Sequence, residues 1–153
     1  LSKTNFHIIL RPHPRDRKDE KYSYLRNKFI QNERFSYDIS ENYFDIYSKS
    51  KLMITDLSGS AYTFAFFVLS PIIFFSTNEK KIEENEYSNY NFFLDRKKIG
   101  EVVFDESQVI DKIKFVFENY NLYEKNIIQL RNNMKYLNKT TIEIKKFIEK
   151  LSW

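Results

Sequence analysis

Lys51-Leu52-Met53-Ile54-Thr55-Asp56-Leu57-Ser58-Gly59-Ser60, then Ala61 to Leu69, then Ser70-Pro71-Ile72-Ile73-Phe74-Phe75, reads as strand, turn, helix and strand. Lys51 to Thr55 is a short apolar run of strand length, and Asp56 to Ser60 carries the small polar residues of a turn. Ala61 to Leu69 is apolar on nearly every face, as a helix lying on a sheet requires. Pro71 cannot continue that helix, because it lacks an N–H and biases the residue before it away from helical ψ. The next apolar run, Ile72 to Phe75, is then a second strand. Strands apolar on both faces, joined through a helix, are expected in a parallel sheet covered on both sides.

The same grammar extends in both directions. Phe6 to Leu10 is an apolar run closed by Arg11-Pro12-His13-Pro14. Tyr22 to Ile30 has helical spacing, Arg34 to Ile39 suits a second strand, and Ser40 reads as the cap of a short helix carrying Tyr43, Ile46 and Tyr47. Beyond Ser76, Thr77 to Asn91 is polar and predicts a loop with a short helix. Val102 to Phe104 offers a last strand, Val109 to Tyr120 and Tyr123 to Leu137 two amphipathic helices, and Thr140 to Leu151 a third. The expectation is one α/β domain over 1–153, with a parallel sheet, helices on both faces and C-terminal helices.

Composition excludes several functions. There is no cysteine, so disulfide scaffolds, thiolate zinc sites and cysteine nucleophiles are ruled out. Two histidines, His7 and His13, are too few for a multi-histidine metal centre, and no carboxylate pair argues for a metal. No apolar run approaches the roughly 18–20 residues of a membrane span, so the piece is soluble by composition. The start at Leu1, without a signal-peptide pattern, suggests a piece of a longer protein. The net charge of +4 is uneven, since the first 28 residues hold eight Lys or Arg against three Asp or Glu. No RNA- or DNA-binding motif accompanies this charge, which argues against nucleic acid as a partner.

In parallel sheets ligands bind beyond the carboxyl ends of the strands, so the residues just after each apolar run are the informative ones. Arg11 and His13 follow the first strand; Thr55, Asp56, Ser58, Gly59 and Ser60 follow the third. A helix beginning near Ser60 aims free N–H groups and its positive dipole end at whatever sits above the turn, a phosphate cradle to which Ser58 and Ser60 add hydroxyls. Gly59 permits either positive φ or close approach of a ligand. The plainer alternatives stay open: a serine that only caps the helix, a histidine that only shapes a turn, and an Asp56 that only braces it. Asp38 and Ser40, at the end of the second strand, are positional candidates for a pyrimidine. Tyr62, Phe64, Phe66 and Phe67 read as packing between helix and sheet. Tyr87, Tyr90, Phe92 and Phe93 are candidates for an acceptor cleft.

Arg11-Pro12-His13-Pro14, the Ser50 to Ser60 segment and Ser70-Pro71-Ile72-Ile73-Phe74-Phe75 together resemble the C-terminal half of CDP-glycerol glycerophosphotransferases, the polymerases of teichoic-acid and capsule backbones. Ile99-Gly100-Glu101-Val102-Val103 falls where such enzymes often carry a glycine-containing segment. Arg11 stands where Lys is usual, Leu57 where Tyr is usual, and Gly59 where the second serine of a pair is usual.

The resemblance implies a Rossmann-like half of a GT-B fold that transfers a glycerol-phosphate or sugar unit from a cytidine-activated donor to an acceptor hydroxyl. His13 would contact the donor phosphates or assist the leaving group, while Arg11, Thr55, Asp56, Ser58, Gly59 and Ser60 would hold the diphosphate. It implies no cofactor beyond the donor, and as partners the donor, a polymer acceptor and an N-terminal domain of the same chain. The fragment alone would be inactive. The location implied is cytoplasmic, with membrane contact only at the periphery, where the Lys-rich last helix and Trp153 are candidates. Sialyltransferases using a CMP-sugar share a His-Pro and a serine motif and form the enzymatic alternative. A non-catalytic nucleotide-binding module or a UDP-sugar epimerase are the others.

Overall fold

A computed structural model describes residues 5–134 and 139–150. The chain divides into two compact units, Leu1–Asp45 and Ile46–Trp153, each described by itself. Among the described residues no helix is long and apolar enough to cross a membrane.

In the first unit, β1 (Ile8–Leu10) leads through a 3-10 turn at Pro14–Asp16 into α1 (Glu20–Phe29) and back to β2 (Phe35–Tyr37). The strands run parallel, with Ile8 opposite Phe35 and Leu10 opposite Tyr37. Helix α1 begins where it does because the Asp19 carboxylate accepts the Lys21 N–H at 2.9 Å. Phe29 packs on the buried Phe35 at 5.7 Å between ring centres. Ile30, the last residue of the expected helical span, is the C-cap of α1 and is exposed. Helix α2 (Phe44–Lys49) bridges to the second unit. Ser40 does not cap it: Asn42 Oδ1 accepts the Phe44 N–H at 3.0 Å, and Ser40 is engaged elsewhere.

The second unit holds β3 (Met53–Thr55), α3 (Ser60–Val68), β4 (Ile72–Phe75), α4 (Glu79–Glu83), α5 (Asn91–Leu94), α6 (Arg96–Ile99), β5 (Gly100–Val103), α7 (Glu106–Glu118), α8 (Tyr120–Asn132) and α9 (Thr140–Lys150). Its strands are parallel in the order β3-β4-β5, so β4 is central, and Ile72, Ile73 and Phe74 are wholly buried. Alternation along β4 puts Ile73 into a cluster with Val103, Ile113, Val116 and Tyr123, which places α7 and the start of α8 on that face. Phe74 faces the opposite side, where the Arg96 guanidinium lies 5.7 Å from its ring. Tyr123 and Lys112 both reach Glu101, at 2.6 and 2.5 Å, tying these two helices to β5.

The α/β class with parallel strands and helices on both faces stands. Two expectations change. The strands form two sheets, β1-β2 and β3-β4-β5, instead of one. Among the described residues of the second unit β3 pairs with β4, and Ile54 is 48% exposed, so the run from Lys51 is not fully buried. The loop with a short helix expected over Thr77 to Asn91 holds, as α4 and a 3-10 turn at Glu86–Asn89, and α5 and α6 follow it; the buried Glu79 and Arg96 pair across this segment through two bonds of 2.5 and 3.0 Å. Helix α8 ends at Asn132 with Asn133 as its C-cap, short of the expected Leu137; residues 135–138, Leu151 and Trp153 lie outside the described residues.

Candidate functional site

The strand after which each motif falls sets its geometry. At the carboxyl end of β1, Pro12 is buried and His13 is exposed. His13 opens the 3-10 turn, and its Nδ1 accepts the Arg15 N–H at 3.2 Å. With Nδ1 an acceptor, the neutral ring carries its proton on Nε2, leaving a donor on an exposed side chain.

Arg11 is already committed inside the first unit. Its Nη1 is paired with the Asp38 carboxylate and lies 3.2 Å from Ser40 Oγ, and its Nη2 donates to the Ser40 carbonyl at 2.8 Å. Asp38 Oδ1 accepts the Ser40 N–H at 3.1 Å, and the Asp38 N–H continues the strand ladder to Leu10 O at 3.0 Å. Arg17 Nη2 reaches the same Ser40 carbonyl at 3.4 Å. The structure therefore gives Asp38 and Ser40 to Arg11 as a bracket across the ends of β1 and β2. Arg17 had no signal in the sequence beyond its charge.

Burial pushes the Asp38 carboxyl up, but hydrogen bonds from Ser40 and Arg11 outweigh it and hold the group below its ordinary value. A carboxylate whose folded value lies below its unfolded value of about 3.9 stabilises the fold fully above that pH, and the contribution fades as the pH falls through the lower folded value. Asp38→Asn is thus expected to destabilise the chain at pH 7 and to lose that difference from wild type below about pH 4. Urea titrations of both proteins at several pH values check this; a difference independent of pH would contradict it.

At the carboxyl end of β3, Thr55 is half-buried and Asp56 exposed. The Ser58 N–H donates to Asp56 O at 2.9 Å, and Ser58 Oγ accepts the Ser60 N–H at 3.3 Å. Ser58 thus performs the capping role, and its hydroxyl proton stays available to a further acceptor. Ser60 is the first residue of α3, exposed, with no hydroxyl partner among the described residues. No acidic residue lies in the first turn of α3. Gly59 has φ −58° and ψ −24°, ordinary helical values, so positive φ is not its reason. A Cβ built on it meets no protein atom within 4 Å. Close approach from outside is what this glycine leaves open.

Of the aromatic residues on α3, Phe64 is core and stacks edge-on against Tyr47 at 5.2 Å, while Phe67 is exposed. Tyr62 and Phe66 line an open groove instead, together with Phe92. Tyr90 is exposed, and Phe93 lies under the Arg96 guanidinium at 5.0 Å. The side chain of Tyr87 is outside the described ones. Among the described residues no group of three or more His, Asp or Glu could hold a metal ion.

Parallel strands in two small sheets with packed helices make this a Rossmann-like α/β half domain. Residues 1–142 match the model of the CDP-Glycerol:Poly(glycerophosphate) glycerophosphotransferase family, and the chain belongs to that family. It is a glycerophosphotransferase-like transferase. No curated protein and no solved structure matches it.

Proposed function

We propose that the chain is the donor-binding half of a GT-B transferase that moves a glycerol-phosphate unit from CDP-glycerol to a hydroxyl of a growing polyol-phosphate polymer. The observation that carries this reading is the Ser58-Gly59-Ser60 turn: it opens α3 with an exposed hydroxyl, no acidic residue in the first helical turn, and empty space beside the glycine. The Ser60 and Ala61 N–H groups already donate to Ser58 Oγ and O, so a donor diphosphate there would meet the Ser58 and Ser60 hydroxyls and the positive end of the helix dipole.

In the reaction the acceptor oxygen attacks the glycerol-bearing phosphorus, the bond from that phosphorus to the bridging oxygen breaks, and CMP leaves with the electron pair. The acceptor proton passes to solvent or to a base. Negative charge grows on the leaving phosphate, where preorganised donors stabilise it most. The α3 N-terminus offers such donors in the second unit; the exposed His13, with its Nδ1 already accepting from Arg15, is a separate candidate donor in the first. Arg11 acts as a brace of the loop carrying His13, since both terminal nitrogens already serve Asp38 and Ser40. Thr55 and Asp56 hold the turn's entry from β3.

Gly59→Ala tests the cradle. The helical backbone angles suit alanine and the protein offers no clash, so thermal stability should stay equal or rise slightly. A phosphate approaching the main chain would meet the new methyl, and CDP-glycerol affinity should fall at least about tenfold, the loss of roughly one charge-assisted hydrogen bond. Wild-type affinity in Gly59→Ala would remove this turn from the donor site. His13→Ala should weaken binding similarly, whereas His13→Gln, which keeps a donor near the Nε2 position, should restore part of it.

A further inference from the structure

The loop that carries His13 is held from both ends by a single carbonyl. Two residues before His13, Arg11 Nη2 donates to Ser40 O at 2.8 Å; four residues after it, Arg17 Nη2 donates to the same oxygen at 3.4 Å. Residues 11–17 are thereby closed into a ring at one point of the chain. Ser40 is itself anchored, since its N–H donates to Asp38 Oδ1 at 3.1 Å and its hydroxyl to the Asn42 carbonyl at 3.0 Å. Within the ring Pro12 is buried, Pro14 narrows the conformations open to His13, and the Asp16 N–H donates to His13 O at 2.8 Å. Among the described residues Ser40 O is the one hydrogen-bond partner of the Arg17 side chain, and Arg17 Nε is buried with none. The guanidinium is therefore held inward at a desolvation cost that a freely solvated surface cation does not carry.

We propose that Arg17 is a positioning residue for His13: together with Arg11 it clips the loop to Ser40 and so fixes the tautomer and direction of the His13 ring. The link runs through the 3-10 turn. Arg17 is the C-cap of Pro14–Asp16, and the Arg15 N–H reaches His13 Nδ1 at 3.2 Å from within that turn. A tether on Arg17 keeps the turn wound, and the wound turn keeps Nδ1 an acceptor, with the ring proton on Nε2. Because the His13 side chain is exposed, little packing would replace this bond once the turn opened, and the imidazole could then change rotamer and take either tautomer. The clip stands on the first unit's own geometry. Its consequence for ligand binding rests on the reading of His13 given under the proposed function.

The test needs no ligand at first. The chain has two histidines, so ring-nitrogen NMR shifts report each imidazole separately, at a pH of about 9, above the ordinary imidazole range. Wild type, Arg17→Met, which keeps the aliphatic stem, and Arg17→Lys, which keeps one donor group, are compared. The expected result is a single Nε2–H tautomer for His13 in wild type, a shift toward a tautomer mixture in Arg17→Met, and recovery of most of that shift in Arg17→Lys. His7, whose Nε2 pairs with Ser36 Oγ at 2.7 Å, should keep its signals throughout and so reports an intact fold. His13 signals unchanged in Arg17→Met, or His7 signals that move with them, would overturn the proposal. Calorimetric titration with CDP-glycerol then reads the coupling. Arg17→Met should weaken binding about fivefold, the worth of one ordinary hydrogen bond, yet change affinity by less than about twofold in a His13→Ala background. Equal losses in both backgrounds would also overturn it. A His13 tautomer that depends on Arg17 in a chain that ignores CDP-glycerol would sink the donor reading and leave the clip standing.

Discussion

Arg96→Met is expected to lower the unfolding free energy by about 3–5 kcal/mol, the cost of stranding a buried charge. Arg96 and Glu79 are 3% and 6% exposed and share two hydrogen bonds of 3.0 and 2.5 Å. The guanidinium also lies between the rings of Phe74 and Phe93. With methionine the packing volume survives, but the Glu79 carboxylate keeps its burial and loses both donors. Replacing the pair together, with Glu79→Leu and Arg96→Met, should recover most of the loss, because no charge then remains to be desolvated. Urea unfolding of both single variants and the double variant measures the coupling. A single substitution costing under about 1 kcal/mol would mean that the pair behaves as a solvated one. The pair holds α4 to α6 and so shapes the crossover between β4 and β5.

Gly100→Ala should be nearly as damaging for a different reason. Gly100 sits opposite Ile72 in the β4–β5 ladder, and a Cβ there would lie 1.8 Å from Ile72 O and 2.7 Å from its carbonyl carbon. Its φ of 171° is extended backbone open to any residue, so the demand is for space alone. The obstructing atoms belong to the main chain of the central strand and cannot swing aside as a side chain would. Overpacking typically costs 1–3 kcal/mol, and this contact belongs at or beyond the upper end. A loss of about 3 kcal/mol corresponds to a drop in Tm of roughly 6–12 °C for a chain of this size. Thermal unfolding that matched wild type would contradict the strand register itself. The two glycines of the chain are therefore predicted to respond oppositely to the same substitution: Gly100 to lose stability, Gly59 to lose only ligand.

The strand-helix-strand unit from Met53 to Phe75 was legible because its signals agree. Apolar runs of strand length flank an apolar helix, with Ser-Gly-Ser before it and Pro71 after it, and β4 spans the expected Ile72–Phe75. Strand β3 misled on burial, since an apolar run does not reveal how far its strand will be covered: Ile54 is 48% exposed. The short helix expected between Thr77 and Asn91 is there as α4, whereas α5 and α6 carried no signal, since the Glu79–Arg96 pair that spans them is seventeen residues apart and invisible to any periodicity. Strand β5 began earlier than expected, as a glycine at its first position weakens the strand signal although the close approach to Ile72 requires it. Helix α7 also began earlier: Asp105 and Gln108 form a capping box, with Asp105 Oδ1 accepting the Ser107 N–H at 2.8 Å and Gln108 Oε1 accepting the Asp105 N–H. That pattern was readable and was missed.

The site was legible in its positions more than in its partners. His13 and the Ser58–Ser60 turn follow strands as expected, because a residue's place after an apolar run is a local property. Arg11 bonding Asp38 and Ser40 depends on the pairing of β1 with β2, which brings residues 27 and 29 apart into contact. Tyr62 and Phe66 were indistinguishable from core residues in sequence, since helical spacing reports which residues share a face and not whether that face is covered.

The claim on which the functional account turns is that the chain binds a cytidine-activated donor. Calorimetric titration of the folded chain with CDP-glycerol, CMP and UDP measures it directly. The account predicts saturable binding of CDP-glycerol and CMP, with UDP at least about tenfold weaker, a difference of roughly 1.4 kcal/mol. Equal affinity for UDP, or no heat with any of the three from a chain shown to be folded, would contradict it.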